Sequence, residues 1–424
     1  MTLDVYTDLE WRGLVHQKTH DDLAAGLTAA PITLYHGIDA TAGSLHVGNL
    51  LGVLTLQRFQ RAGHRPLPLL GGATTLIGDP SGKADERPML PAEAVRANVD
   101  AIREQLERFL EFGTAANDAV LVNNLDWLGP FNLLDFLRDV GKHFPVNVMI
   151  AKESVRARLA GGISFTEFSY MLLQAYDFLH LHETMQCRLQ VGGSDQWGNI
   201  TAGVELVRRI HSTDAWGLTW PLITKPDGTK FGKSEAGNVW LDPAKTSPYQ
   251  FFQFWYRTED SDVGRYLRMY TLLDAGTIED LESHAATQPA ARRAQQVLAV
   301  EVTTAVHGAE AAEAAVRASQ ALFGGKLEAV DEETLAELFA EAPSSTLARS
   351  ALEGAGAPLL DLLVRTGLTD SRSAARSALE QGGVYVNNER AVDAERRLTP
   401  ADLIAGGSII LRRGKRSYHV VRFR

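Results

Sequence analysis

Within FTEFSYMLLQAYDFLHL at 165–181, Tyr170, Gln174 and Asp177 recur at i, i+4 and i+7, so a helix there carries a phenol, an amide and a carboxylate along one face. Phe168, Met171, Leu172, Ala175, Phe178 and Leu179 make the broad apolar face opposite. A solvated face more typically carries Lys, Glu or Arg, so the polar row suits a small polar molecule, with Tyr170 and Gln174 positioned for an α-amino or carboxyl group. Two further stretches suit phosphate. In ITLYHGIDATAGSLHVGNLLGVL at 32–54, a strand with Ile32, Leu34 and Ile38 breaks into a turn carrying Asp39, Thr41, Ser44 and His46. A helix follows, with Val47, Leu50, Leu51 and Leu54 at helical spacing and Ser44 as the expected N-cap. Free backbone N–H groups and the helix dipole favour an anion in that turn. KFGKS at 230–234 follows the turn PDGT and sets Lys230 and Lys233 around Gly232, so two ammonium groups can close over a triphosphate that gains charge on transfer. Taken alone, such a pair reads first as an exposed basic hairpin tip, which is the commoner case.

RPLPLLGG at 65–72 supplies a second strand and completes a βαβ unit that carries the first of these turns. CRLQVGGSDQWGNITAGVELVRRI repeats the order strand, glycine turn, helix. There Gly192 and Gly193 allow close backbone approach, and Asp195 is a short acceptor for a ribose hydroxyl. One such turn in each half predicts a doubly wound sheet. Other phosphate loops are excluded: there is no GxGxxG, and GDPSGK at 78–83 has a glycine spacing one short of a P-loop, with Ala84 where a hydroxyl would hold Mg²⁺. The loop around it carries Asp79, Lys83 and Arg87 close to the strand ends where open α/β sheets bind ligands. Between the two halves lies a largely helical insertion. It ends in PVNVMIAKESVRARL, whose Val146, Val148, Met149 and Ile150 are expected to be internal core.

The 424 residues, 45% hydrophobic and 22% charged, fit a globular chain of two to four domains. No apolar run approaches the ~18 residues of a membrane span, and the N-terminus lacks a basic start and apolar core. Cys187 is the only cysteine, which excludes disulfides within the chain and thiolate-rich zinc sites and fits a reducing cytoplasm. A net charge of −10 argues against coating nucleic acid with the whole surface. Residues 357–424 differ: twelve Arg and Lys stand against seven Asp and Glu, about +5, while the rest is about −15. Their tail RRGKRSYHVVRFR interleaves aromatic and basic side chains, as phosphate contacts and base stacking would require.

HVGN at 46–49 resembles the HIGH signature of class I aminoacyl-tRNA synthetases, and KFGKS resembles their KMSKS signature, in the order that family requires. With GGSDQWGN and the Tyr170, Gln174 and Asp177 row, nearly the whole chain resembles the bacterial tyrosyl-tRNA synthetases. LLVRTGLTDSRSAARSALEQGGVYVNNE resembles a small RNA-binding module shared with a ribosomal protein of the S-four type, the matching features being Arg372, Arg376 and VYVNN. The implied fold is α/β: a doubly wound Rossmann-like nucleotide-binding domain over 1–222, with an insertion at about 80–160 that contributes a homodimer interface. The KFGKS region would occupy 223–244, an α-helical anticodon-side domain 245–323, a linker 324–356, and a small α+β RNA-binding module 357–424.

The resemblance also implies roles. Tyr35 and Asp177 would bond a substrate phenol, Asp79, Tyr170 and Gln174 its ammonium group, and Gln196 its carboxyl end. Thr41 and His46 would meet the β- and γ-phosphates of ATP. Gly37, Asp39, Gly193 and Asp195 would line the adenosine. Lys83, Arg87, Lys230 and Lys233, with Ser234 beside them, would clamp the leaving diphosphate, with Mg²⁺ travelling on the ATP. Arg372, Arg376, Arg412, Arg413, Lys415 and Arg416 would face tRNA(Tyr). Asn49 replaces the second histidine of the HIGH signature and keeps a hydrogen-bond donor, while Phe231 and Gly232 replace the central Met and Ser of KMSKS. His36 falls near the ribose. The implied reaction is ATP-driven activation of L-tyrosine and its transfer to tRNA(Tyr) in the cytoplasm. A tryptophan-specific relative is opposed by Tyr35 with Asp177 and by the RNA module. A noncatalytic RNA-binding protein on the same fold is opposed by His46, Lys230 and Lys233.

Overall fold

The computed structural model describes residues 4–81, 89–159, 161–223, 231–234, 237–322, 327, 330–340, 342–414 and 417–424. Its central sheet has β1 (Gln17–Lys18), β2 (Thr33–Ile38), β3 (Arg65–Leu70), β4 (Val122–Asn123), β5 (Cys187–Gly193) and β6 (Trp216–Trp220) in the order β1-β6-β5-β2-β3-β4. All neighbours run parallel except β1, which closes one edge antiparallel to β6. Leu34, Leu67, Leu70, Leu189 and Leu218 are all buried, as expected of parallel strands covered on both faces. From β2 the chain winds outward to β3 and β4, then returns to place β5 on the other side of β2. That reversal opens a crevice beyond the carboxyl ends of β2 and β5, where such sheets take their ligands.

Helix α1 (Val47–Arg61) follows β2 and α2 (Ala92–Leu106) follows β3. The insertion contributes the short helix α3 (Val146–Ala151). Helix α4 (Phe165–Met185) starts where Ser164 accepts a bond from the Glu167 N–H (3.2 Å) and stops at Gln186, whose φ of 55° is left-handed. Its apolar face enters a core with Tyr35, Leu67, Leu69 and Val207, and α5 (Trp197–His211) follows β5. The helix start differs from expectation at α1: His46, not Ser44, is the N-cap. Its Nδ1 accepts from Gly48 N–H (3.0 Å), and Asn49 Oδ1 accepts from the His46 N–H (3.1 Å). Ser44 is instead buried, donating to the Leu45 carbonyl (2.7 Å) and accepting from Asp242 N–H (3.2 Å).

Val146, Val148 and Ile150 are 59%, 47% and 40% exposed, and only Met149 of that cluster is core. Leu133, Leu134 and Leu159 of the insertion, and Phe165 at the start of α4, are exposed too. Apolarity alone could not distinguish a core from an apolar surface there.

The chain divides into two compact units, one of residues 1–247 and 254–306, the other of 248–253 and 307–424. The helical stretch expected over 245–323 is therefore shared between them. Helix α6 (Asp260–Tyr270) belongs to the first unit because buried guanidinium groups satisfy its end. Arg12 donates to the carbonyls of Arg268, Thr271 and Leu273, and Arg58 to those of Met269 and Thr271.

In the second unit, residues 324–356 hold more than a linker. They contain α7 (Glu332–Leu338) and β9 (Ser344–Leu347), which pairs parallel to β15 (Ser417–Phe423). Strand β10 (Ala357–Pro358) pairs with β13 (Arg397–Leu398). With β11 (Val384–Val386), β12 (Glu389–Arg390) and β14 (Ser408–Arg413), the larger sheet has the order β12-β11-β14-β15-β9. Asn387 and Asn388, both left-handed (φ 48° and 66°), make the tight turn from β11 to β12. Helices α8 (Leu359–Arg365) and α9 (Arg372–Glu380) cover this sheet through Leu359, Leu363, Ala375 and Leu379, together with Leu347 and Leu352 from the expected linker.

Candidate active site

A pocket of about 590 Å³ lies at the β2/β5 crevice and is lined by Tyr35, Gly37, Asp39, Thr41, His46, Asn49, Asp79, Tyr170, Gln174, Asp177, Gly193, Asp195 and Gln196. These residues are thus brought together from β2, the turn before α1 and the first turn of α1, the loop after β3, one face of α4 and the turn after β5. Lys83, Arg87 and Lys230 lie outside the described residues. Lys233 and Ser234 form strand β7 (Lys233–Ser234), antiparallel to β8 (Gly237–Asn238).

At the base of the pocket, Asp177 is 2% exposed and Tyr35 1%. Both Asp177 oxygens are engaged: Trp127 Nε1 donates to Oδ1 (2.8 Å) and Asn124 Nδ2 to Oδ2 (3.0 Å). Burial pushes the Asp177 carboxyl up to about 7 against those two donors, with the Asp39 charge adding to the rise. The Tyr35 hydroxyl is buried without a partner among the described residues, and burial, then the Asp177 charge, pushes it well above the usual phenol range. A buried hydroxyl left free beside a carboxylate is a built gap for a group that both donates and accepts. Sequence reading missed Asn124 and Trp127. They fall after a two-residue strand and in a four-residue helix (Leu125–Leu128), where no periodicity marks them.

Higher in the pocket the polar groups form one network. Gln196 Nε2 donates to Asp79 Oδ2 (2.6 Å), and Asn199 Nδ2 donates to Gln174 Oε1 (3.1 Å) and Gln196 Oε1 (3.2 Å). Asn199 is a further residue not singled out in the sequence. Tyr170 Oη donates to Asp39 Oδ2 (3.0 Å) and Thr74 Oγ1 to Asp39 Oδ1 (2.9 Å), so Asp39 joins the polar row of α4 to the turn after β2. His36 donates from Nδ1 to the Val191 carbonyl (3.1 Å) and meets Trp220 edge-on at 5.1 Å. Burial takes it down to about 4, so its imidazole is neutral near pH 7. A Cβ on Gly193 would lie 2.6 Å from Asp195 Oδ1, so only glycine leaves this carboxylate its place.

The two phosphate-suited stretches are joined to each other. Val47 N–H donates to Val239 O (3.0 Å), and Leu241 N–H to Leu45 O (2.8 Å). Gly232, at φ +90°, packs so close that a Cβ there would lie 2.6 Å from Val47 Cγ2. Beside it the Phe231 ring sits among Phe254, Trp255, Tyr266 and Tyr270, with centroids 4.7 to 5.6 Å away. Phe231 is thus seated in an aromatic socket and Gly232 against the start of α1.

Residues 27–324 match the model of class I tRNA synthetases (W and Y), and residues 334–421 match the tyrosine–tRNA ligase SYY-like C-terminal domain. The chain is 56% identical over 420 residues to a tyrosine–tRNA ligase of Roseiflexus castenholzii, covering 99% of each chain. The chain belongs to the tyrosine–tRNA ligase family. A second member, from Bacillus caldotenax, is 52% identical, with 99% of this chain and 100% of the other covered. Among solved structures, a C-terminally truncated mitochondrial tyrosyl-tRNA synthetase of Aspergillus nidulans superposes with a TM-score of 0.69 at 31% identity, covering 76% of this chain and 95% of that one. As in the family, the fold is a Rossmann-like α/β unit with a C-terminal module.

In that module of the ligase, Arg372 pairs with Asp361 (2.9 Å) and Arg376 with Glu395 (2.8 Å), both exposed. Arg412 lies 3.7 Å above the Tyr385 ring centre, and Arg413 Nη1 donates to the Leu368 carbonyl (2.9 Å). Lys415 and Arg416 lie outside the described residues.

Proposed function

We propose that the chain is a tyrosine–tRNA ligase that activates L-tyrosine with ATP to tyrosyl-adenylate and diphosphate, then transfers tyrosine to the 3′-terminal adenosine of tRNA(Tyr). The observation that carries the specificity is the free Tyr35 hydroxyl beside the doubly held Asp177 carboxylate. A tyrosine phenol donates to Asp177 and accepts from Tyr35, which uses both of its hydrogen-bonding capacities. Phenylalanine would leave both groups unpaired. Rejection of about 10⁴- to 10⁵-fold is the magnitude measured for tyrosyl-tRNA synthetases themselves, not one obtained from this geometry.

Asp79, Gln174 and the Tyr170 oxygen receive the substrate ammonium group, and Gln196 orients its carboxylate for in-line attack on the α-phosphorus of ATP. Thr41 and His46, with the Asn49 side chain, hold the β- and γ-phosphates at the N-terminus of α1. Gly37, Asp39, Gly193 and Asp195 surround the adenosine. Lys83, Arg87, Lys230 and Lys233, with Ser234, meet the charge developing on the diphosphate. Mg²⁺ arrives as the counter-ion of ATP, as part of the substrate. In the second step a ribose hydroxyl of the tRNA attacks the activated carbonyl and AMP leaves. Positioning and charge supply the catalysis, without a covalent enzyme intermediate.

Arg372, Arg376, Arg412, Arg413, Lys415 and Arg416 contact tRNA phosphates and bases. The exposed Leu133, Leu134, Val146, Val148 and Phe165 favour a homodimer formed through the insertion. We place the enzyme in the cytoplasm, a reducing compartment that the single, buried Cys187 fits. Incubation with labelled tyrosine, ATP and tRNA(Tyr) tests the whole reaction. Acid-precipitable tyrosyl-tRNA is the expected product, and its absence while tyrosyl-adenylate also fails to form would contradict the proposal.

A further inference from the structure

The segment after KFGKS carries a cation that the roles above leave unused. Trp240 lines the pocket mouth, its indole edge-on to the His46 imidazole at 6.0 Å. The antiparallel bridge between His46 and Trp240 holds it there, as does the bond from Leu241 N–H to Leu45 O. The chain then turns tightly. Trp240 N–H donates to Thr246 Oγ1 (3.0 Å), and Lys245 N–H donates to Asp242 O (3.0 Å). This turn returns the Lys245 ammonium to the same indole, with Nζ 4.9 Å from the ring centre.

Gly43 fixes where that ammonium stands relative to the phosphate turn. A Cβ built on Gly43 would lie 3.8 Å from Lys245 Nζ, and Gly43 sits between Thr41 and Ser44, both of which line the pocket. Asn98 Nδ2 donates to the Ala40 carbonyl (2.8 Å) and steadies the same turn from α2. Lys245 makes no ion pair with a carboxylate among the described residues. A lysine resting on an indole face has lost part of its freedom while keeping its charge, so it meets an anion at a small further entropy loss.

We infer that Lys245 is a further polyphosphate-binding residue: its ammonium contacts the terminal phosphate of ATP, and the same group of the diphosphate once the adenylate has formed. This assignment rests on the turn 41–46 being the polyphosphate site, as proposed above. The indole of Trp240 acts as the spacer that sets His46 and Lys245 on two sides of that phosphate. Because Lys245 is exposed, its contribution is modest and weakened by salt.

The test is tyrosine-dependent exchange of labelled pyrophosphate into ATP by the full chain, at about 0.01 M and about 0.15 M salt, where the screening length falls from ~30 Å to ~8 Å. Lys245→Met keeps an unbranched apolar stem over Trp240 and removes the charge, while Lys245→Arg keeps the charge. At low salt, Lys245→Met is expected to raise KM for ATP and for pyrophosphate about three- to fivefold, with KM for tyrosine unchanged. The difference narrows at higher salt, and Lys245→Arg stays within about twofold of the unaltered chain. Unchanged KM for ATP and pyrophosphate in Lys245→Met, or a rise that ignores salt and is shared by Lys245→Arg, would overturn the assignment alone. No exchange by the unaltered chain would overturn the proposed function and this site with it.

Discussion

The Trp127 indole N–H and the Asp177 carboxylate meet at 2.8 Å across 50 residues of sequence, and that bond fixes the acceptor at the base of the pocket. Trp127→Phe keeps most of the ring volume and removes the donor. A hydrogen bond to a charged group contributes about 1.5–3 kcal/mol, so KM for tyrosine is expected to rise at least tenfold. The bond also lowers the Asp177 pKa, so its loss moves the acid limb of the tyrosine KM profile to higher pH. Steady-state exchange kinetics from pH 6 to 9 read both effects. A raised KM with an unmoved acid limb would point to packing damage instead.

The unaltered enzyme should itself be pH-sensitive in tyrosine binding. The substrate phenol donates to the ionised carboxylate, and burial holds Asp177 at about 7. Below that value the carboxyl is protonated, and binding must first expel the proton. KM for tyrosine is therefore expected to increase as pH falls, by about tenfold from pH 8 to pH 6. Asp177 affects stability in the opposite direction. Its folded-state pKa, about 7, lies above the ordinary carboxylate value, so its contribution to stability is greatest below about pH 4 and declines as pH rises through 7. A tyrosine KM flat across this range would contradict the assignment of Asp177 as acceptor.

Gly232→Ala probes the seating of KFGKS. The substitution places a Cβ 2.6 Å from Val47 Cγ2 on a backbone of φ +90°, a strain of about 1–3 kcal/mol. Single-turnover adenylate formation should slow by roughly tenfold or more, while tyrosine affinity, set elsewhere in the pocket, stays the same. An unchanged rate would show that this close approach has no part in activation.

Association through the insertion predicts that the chain sediments as a dimer and that Leu134→Asp converts it to a monomer. Leu134 is 74% exposed in the single chain, so a carboxylate there costs the fold little and the interface much. Sedimentation velocity decides between these outcomes, and a Leu134→Asp dimer would place the contact elsewhere.

Removing residues 331–424 should abolish tRNA charging and spare adenylate formation, since every pocket residue named above precedes the cut. A cut at 357 is a poorer test. It leaves β9 without β15 and exposes Leu347 and Leu352. Unchanged charging by the 331–424 deletion would contradict the role proposed for the basic module.

The parts of this architecture that a sequence can express were those with a period. Tyr170, Gln174 and Asp177 share a pocket because helical spacing puts them on one face, and both strand–turn–helix stretches stand where their apolar runs place them. The partners of Asp177 were not legible, because β4 and the helix Leu125–Leu128 are too short for a pattern and reach Asp177 only through the sheet order. Strand β9 was hidden in a polar, small-residue stretch whose partner residues lie 76 positions later. Val146, Val148 and Ile150 read as core because apolarity carries no information about which surface will be covered. His46 displaced Ser44 as the N-cap because Ser44 is drawn inward by Leu45 and Asp242, a long-range contact no local rule contains.

Tyrosine recognition by Tyr35 and Asp177 is tested most directly by pyrophosphate exchange measured separately with tyrosine, phenylalanine and tryptophan, in the unaltered chain and in Asp177→Ala. Exchange is expected with tyrosine at saturating levels, with the other two at the background set by their rejection, and it should collapse in Asp177→Ala. Comparable exchange with phenylalanine or tryptophan, or tyrosine exchange that survives Asp177→Ala with its KM unchanged, would contradict the account.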